Sequence, residues 1–226
     1  MINFENLDRF QFFGVGKYQI PQIEPVTAYP DVDFIPVNYA KTEKRPDCKN
    51  VHFFVDDYQF VRFWNTPDKY IPLLRRFRSV CAPDFSTYTD MPMAMQIYNH
   101  YRKHWLAAYW QLHGITVYPT ISWSTPDSYD WCFDGEPVGG IVSVSSVGCM
   151  ADEESKRLFL HGYEEMVKRL SPKWVIFYGK VPNECDWNVI RIKPHQDDIK
   201  ERRIKHTKRL QNAVWENFSK MTGVNV

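Results

Sequence analysis

The stretch Ser79-Val-Cys-Ala-Pro-Asp-Phe-Ser-Thr-Tyr-Thr-Asp-Met-Pro92 decides the reading of this chain. A short apolar run ends in carboxylates and hydroxyls, and the spacing of a long amphipathic helix begins at once. A strand closed by polar residues and followed by a helix is half of a βαβ unit. The carboxyl end of such a strand is where parallel sheets bind ligands. Upstream, Val51-His-Phe-Phe-Val55 is β-rich and ends in Asp56-Asp57, with a helical segment over 58–77 broken by Pro67 and Pro72. Downstream, Ala94, Ile97, Tyr98, Tyr101, Trp105, Ala108, Tyr109 and Leu112 recur at helical spacing between Pro92 and His113, and Gly114 suits the stop.

The alternation continues. Strands are expected at 51–55, 79–82, 115–122, 140–145, 174–178 and 188–192, with a further helix over 152–170. Their continuous apolar character fits a sheet covered on both faces. The expected fold class is α/β, a mostly parallel sheet of about six strands with flanking helices. Six strands fall short of a regular eight-stranded barrel, leaving an open sheet or an incomplete β/α barrel. Residues 1–49, with Pro21, Pro25, Pro30, Pro36 and Pro46, read as an irregular arm packed on the domain. Within it Phe34-Ile-Pro-Val37 suits a short edge strand. Residues 50–196 are expected to form the α/β core, and 197–226 a basic C-terminal helix.

The bulk numbers narrow the function classes. Lys and Arg number 28 against 27 Asp and Glu, so overall charge does not mark a polyanion binder. The five cysteines are odd in number and form no C-x-x-C pair, which implies free thiols in a reducing cytosol. The acidic, polar N-terminus is unlike a signal peptide, and no apolar run approaches the ~20 residues of a membrane span. A cytoplasmic protein with no membrane association is expected.

The strand ends carry the candidate chemistry. Asp56, Asp57, Asp84 and Ser86 are the candidate catalytic groups, and Trp123, Ser146, Tyr178 and Arg102 the candidate ligand-binding ones. Facing carboxylates divide acid and base roles or hold a cation with water. The plain alternative is that Asp84 caps a turn and Asp56-Asp57 opens a helix. Arg102 lies off the apolar stripe and is expected to face solvent, a partner or a carboxylate. No H-x-x-x-H or H-x-H spacing is expected to accompany these carboxylates, no metal site is assigned, and no motif names a cofactor. In the last helix Arg202, Arg203, Lys205, Lys208 and Arg209 crowd one region, either a solvated face or a phosphate-binding one.

The 83–92 motif, followed by Gln96, Asn99, Tyr101-Arg102, Trp110 and Gly114, resembles the bacterial domain of unknown function 4417, a family of Firmicutes and mobile-element proteins. His52-Phe-Phe-Val-Asp-Asp-Tyr58, Phe133-Asp-Gly135, Gly148-Cys149 and Tyr178-Gly179 fit the same pattern, over roughly residues 10–195. The chain departs from that pattern at Ser122, Ser124 and Val147. The resemblance implies a phage or mobile-element setting and carries no activity with it.

Three functions compete at this level. The first is a pocket at the strand edge that acts on or senses a nucleotide or other phosphorylated small molecule. The second is a nucleic-acid-associated accessory protein using the basic helix. The third is a protein-binding inhibitor of a host factor. Reaction type and oligomeric state are not encoded in any motif.

Overall fold

The computed structural model describes residues 5–192. The expected basic helix, with Arg202, Arg203, Lys205, Lys208 and Arg209, lies outside the described residues.

An antiparallel hairpin comes first, β1 (Gly14–Val15) with β2 (Ile20–Pro21). Gly14 and Val15 thus belong to β1, and Gly16 and Lys17 open the hairpin turn. The apolar runs then form parallel strands. These are β3 (Phe34–Pro36), β4 (Asn50–His52), β5 (Ser79–Cys81), β6 (Val117–Tyr118), β7 (Ile141–Ser145), β8 (Trp174–Tyr178) and β9 (Val189–Ile192). A four-stranded sheet runs β3-β4-β5-β6 and a three-stranded one β7-β8-β9, all pairs parallel. A parallel bridge from Thr120 to Ser143 links them, through Ile121 N–H to Ser143 O at 2.8 Å and Ser143 N–H to Pro119 O at 2.7 Å.

From β3 to β9 each strand therefore lies beside its neighbour in the chain, and among the described residues the order does not reverse. Among the described residues no ladder joins β9 to β3, so the sheet is open and there is no closed barrel. The missing reversal changes which rule locates a site. A sheet with switched strand order offers a crevice at the switch point. A sheet wound in one direction offers the mouth above its strand C-termini, as β/α barrels do.

Residue parity along the strands separates the core into layers. Val51, Phe53, Val80 and Val117 point to one helical layer, with Phe60, Phe63, Leu74, Trp105 and Trp110. Val142, Val144, Val175 and Phe177 point to a second, with Phe159, Tyr163, Met166 and Leu170. The alternate residues Cys81, Tyr118, Ile141, Ile176, Tyr178 and Ile192 meet Phe54 on the other face. Phe54, just past β4, stacks on Tyr178 of β8 with ring centroids 4.9 Å apart. Strands well separated in the order thus touch across that face, and it is concave.

The helices follow local signals. α1 (Asp57–Asn65) buries Phe60, Phe63 and Trp64 at helical spacing. Pro67 starts α2 (Pro67–Leu74), where its missing N–H is harmless. α3 spans Met93–Leu112. α4 (Glu153–Leu170) is capped by the Asp152 carboxylate, which accepts from Ser155 N–H at 2.8 Å.

α3 departs from the sequence reading. Its expected apolar stripe leaves Leu112 exposed, while Gln96, Asn99, His100, Lys103 and His104 are buried. The helix is enclosed on a polar face because loops and a buried carboxylate supply partners for those groups.

Trp123 also departs. It lies against α4, packed on Phe159 at 5.4 Å, outside the concave face. Gly162 makes that fit: a Cβ there would lie 2.1 Å from Trp123 Nε1. Gly162→Ala is therefore expected to displace the indole and lower stability by about 1–3 kcal/mol in urea unfolding. An unchanged midpoint would show that Trp123 is loosely held.

Candidate functional site

The 82–92 loop leaves β5 at the carboxyl edge, and α1 and α3 hold its shape. Asp57, in the first turn of α1, accepts from Ser86 Oγ at 2.9 Å and from Ser86 N–H at 3.2 Å. Arg102 Nη2 lies 3.9 Å from Asp57 Oδ2, and its guanidinium stacks over Phe85 at 3.8 Å. Asn99 donates to Ser86 O at 2.6 Å. Gln96 donates to Met91 O at 2.8 Å and accepts from Ser124 Oγ at 2.6 Å. The polar face of α3 thus fastens the loop at both ends. Asp57, Ser86 and Arg102 share one network, and its clearest role is to build the loop.

Asp84 is different. It sits in the same loop, part-buried, and no donor among the described residues bonds to its carboxyl. Burial pushes it up to about 7, Lys103 counters this, and Asp57 adds to it. A carboxyl poised there exists in both protonation states at neutral pH, so it can donate or accept. The neighbouring thiols offer no nucleophile. Burial pushes Cys81 up to about 12 and Cys149 up to about 11, with Asp84 contributing to both.

The remaining candidates serve other ends. Asp56 is exposed at the N-cap of α1 and accepts from Gln59 Nε2 at 3.4 Å. Ser146 is buried, and its hydroxyl donates to Lys180 O at 2.7 Å, tying two edge loops together. Tyr178 ends β8 at the same carboxyl edge as Asp84, but its ring is buried between His52 at 4.8 Å and Phe54. Trp123 is turned under α4, so the expected concavity of Asp84 with both Trp123 and Tyr178 does not form as drawn.

Among the described residues a buried polar cluster centred on α3 lies outside the sequence expectation. His100, Lys103, His104 and Glu136 are all buried. Lys103 Nζ donates to Thr120 O at 2.6 Å and to Glu136 Oε1 at 3.1 Å, and His104 Nε2 lies 2.8 Å from the same oxygen. Burial works against the Glu136 carboxylate, yet Lys103 and His104 outweigh it and hold the group below its ordinary value. Burial, with His104 and Lys103 adding to it, drives His100 well below the ordinary histidine value, so it is neutral. This corrects the expectation that no H-x-x-x-H spacing accompanies a carboxylate: His100-Tyr-Arg-Lys-His104 is such a pair, two histidines one helical turn apart, and Glu136 lies beside His104.

Residues 12–196 match the family described as Domain of unknown function (DUF4417). The chain belongs to this family. It is similar to the Gene 1 protein of Mycobacterium phage L5, 37% identical over 185 residues that cover 79% of this chain and 78% of the phage protein. The Gene 1 protein of Mycobacterium phage D29 is 34% identical over 194 residues, 83% of this chain and 70% of the relative. No solved structure matches the chain significantly. The DUF4417 match takes in the loop-fastening network, Asp84 and the buried cluster alike. The family thus has phage members, and among the described residues of this one no helix is long and apolar enough to cross a membrane.

Proposed function

We propose that this DUF4417 protein binds a small polar ligand, a nucleotide or another phosphorylated molecule, at the carboxyl edge of its sheet, with Asp84 as the recognising group. The observation that carries the reading is Asp84 itself. A carboxyl that is part-buried and meets no donor among the described residues is costly, and a ligand hydroxyl or amino group would offset that cost. The loop around it is held by Asp57, Ser86, Asn99 and Arg102, which pre-organises the site.

Two further features favour a nucleotide. Tyr58 and Tyr88 follow Asp57 and Ser86 at the same edge and are 77% and 66% exposed, rings suited to stacking on a base. α1 opens on Asp57 and α4 is capped by Asp152, but α3 has neither an acidic residue in its first turn nor a capping side chain. Its N-terminus is the one of the three that favours an anion.

A thermal-shift panel of nucleosides, nucleotides, sugar phosphates and inorganic phosphate tests this on the full chain. A ligand present at ~100 times its dissociation constant adds about 2.7 kcal/mol to the folded state. A nucleotide is expected to raise the melting temperature more than inorganic phosphate does. No shift with any nucleotide or sugar phosphate would contradict the proposal. Salt-sensitive stabilisation by DNA alone would favour the basic segment as the working surface instead.

A further inference from the structure

The buried cluster has a chemistry of its own, independent of the ligand reading above. His100 Nε2 lies 3.0 Å from the Asp134 carbonyl oxygen. A carbonyl only accepts, so Nε2 carries the proton and Nδ1 the lone pair. His104 Nδ1 lies 2.8 Å from the Pro21 carbonyl oxygen, so here Nδ1 carries a proton and Nε2 is the nitrogen turned to Glu136. Each ring is locked by a backbone carbonyl, the outer-shell arrangement that orients metal-ligating histidines.

The inward groups lack sufficient partners. His100 Nδ1 and Glu136 Oε2 are buried and have no hydrogen-bond partner among the described residues. His104 Nε2 and Glu136 Oε1 are 2.8 Å apart, so a positive charge, proton or metal, must lie between or beside their lone pairs. One donor atom from each of His100, His104 and Glu136 lies within 4.8 Å of the others. Closing them onto a cation at about 2.1 Å from each takes shifts of under ~1 Å.

We propose that His100, His104 and Glu136 form a binding site for a divalent transition-metal ion, with zinc the first candidate. Two imidazoles and one carboxylate suit zinc and its neighbours better than magnesium or calcium, which prefer all-oxygen shells. Lys103 stays on Thr120 O and Glu136 Oε1, leaving Oε2 for the metal. Gly135 permits the geometry. Its φ is +76°, and a Cβ there would lie 2.5 Å from Pro21 O and 2.8 Å from His104 Nδ1. Glycine thus lets the turn that carries Glu136 close against the His104–Pro21 bond.

The test uses untagged full-length protein. Elemental analysis after purification without chelator is expected to find about one equivalent of zinc or a neighbouring transition metal. Chelator-treated protein is expected to take up Co2+ with saturable visible d–d bands, lose them on adding Zn2+, and melt higher with Zn2+ than without. His100→Ala and Glu136→Gln should each abolish the bands. Should either variant fail to fold, the wild-type Co2+ titration decides alone. No metal in the purified protein, together with no Co2+ bands and no Zn2+-dependent melting shift in the wild type, would overturn the proposal and assign the site to a shared proton.

Discussion

Asp84→Asn is expected to make the protein more stable at pH 8 while removing ligand binding. In the folded chain the Asp84 carboxyl is raised to about 7, against about 3.9 unfolded. Between those values the folded state binds more protons, so stability falls as pH rises, and the full loss is reached above pH 7. The difference between the two values bounds the effect at about 4 kcal/mol, and partial solvent exposure reduces it to roughly 1–2 kcal/mol. Asparagine has the same shape and no charge. It should recover that energy at pH 8, as a melting temperature about 2–8 °C higher, and change little below pH 4. Gain of stability with loss of function is the signature of a binding group held in a costly environment. Equal destabilisation at both pH values would instead mark Asp84 as part of the loop's structure.

The largest loss is expected at Glu136. In chelator-treated protein, Glu136→Gln leaves the Lys103 ammonium buried without its carboxylate, which costs about 3–5 kcal/mol. Urea unfolding should register it as a large drop in midpoint. The double substitution Lys103→Met, Glu136→Leu should recover most of the loss, because an apolar pair needs no compensating charge. The pH dependence runs opposite to that of Asp84. Glu136 is held below its ordinary value, so its contribution is present above the unfolded value near 4.3 and disappears as pH falls through the folded one. A single variant that loses under about 1 kcal/mol would show that the cluster is less buried or less charged than its geometry implies.

Much of the fold was legible because strands covered on both faces leave continuous apolar runs. Trp174–Tyr178 matches the reading residue for residue, and Ile141–Ser145 nearly so. The third strand shortened to Val117–Tyr118 because Pro119 has no N–H to give the ladder, and pairing resumes only as the Thr120 bridge. The face of α3 was misread because hydrophobic periodicity has no way to represent a polar residue whose partner lies far along the chain. His104 is satisfied by Pro21 and Glu136, and Lys103 by Thr120 and Glu136. Trp123 was placed at the edge by its position after a strand. Its actual direction depends on the space left by Gly162, 39 residues further on. Asp57 and Ser86 meet because residues just past parallel strands converge by topology. The metal-like cluster was half visible in the histidine spacing, but its carboxylate comes from a turn 32 residues beyond His104.

The most direct measurement is a carboxyl-detected NMR titration of Asp84 in the full chain, assigned with Asp84→Asn, with and without nucleotide. The Asp84 resonance is expected to titrate near pH 7 in the free protein and to move when nucleotide is added. Titration near pH 4, with no response to any nucleotide or sugar phosphate, would contradict the account.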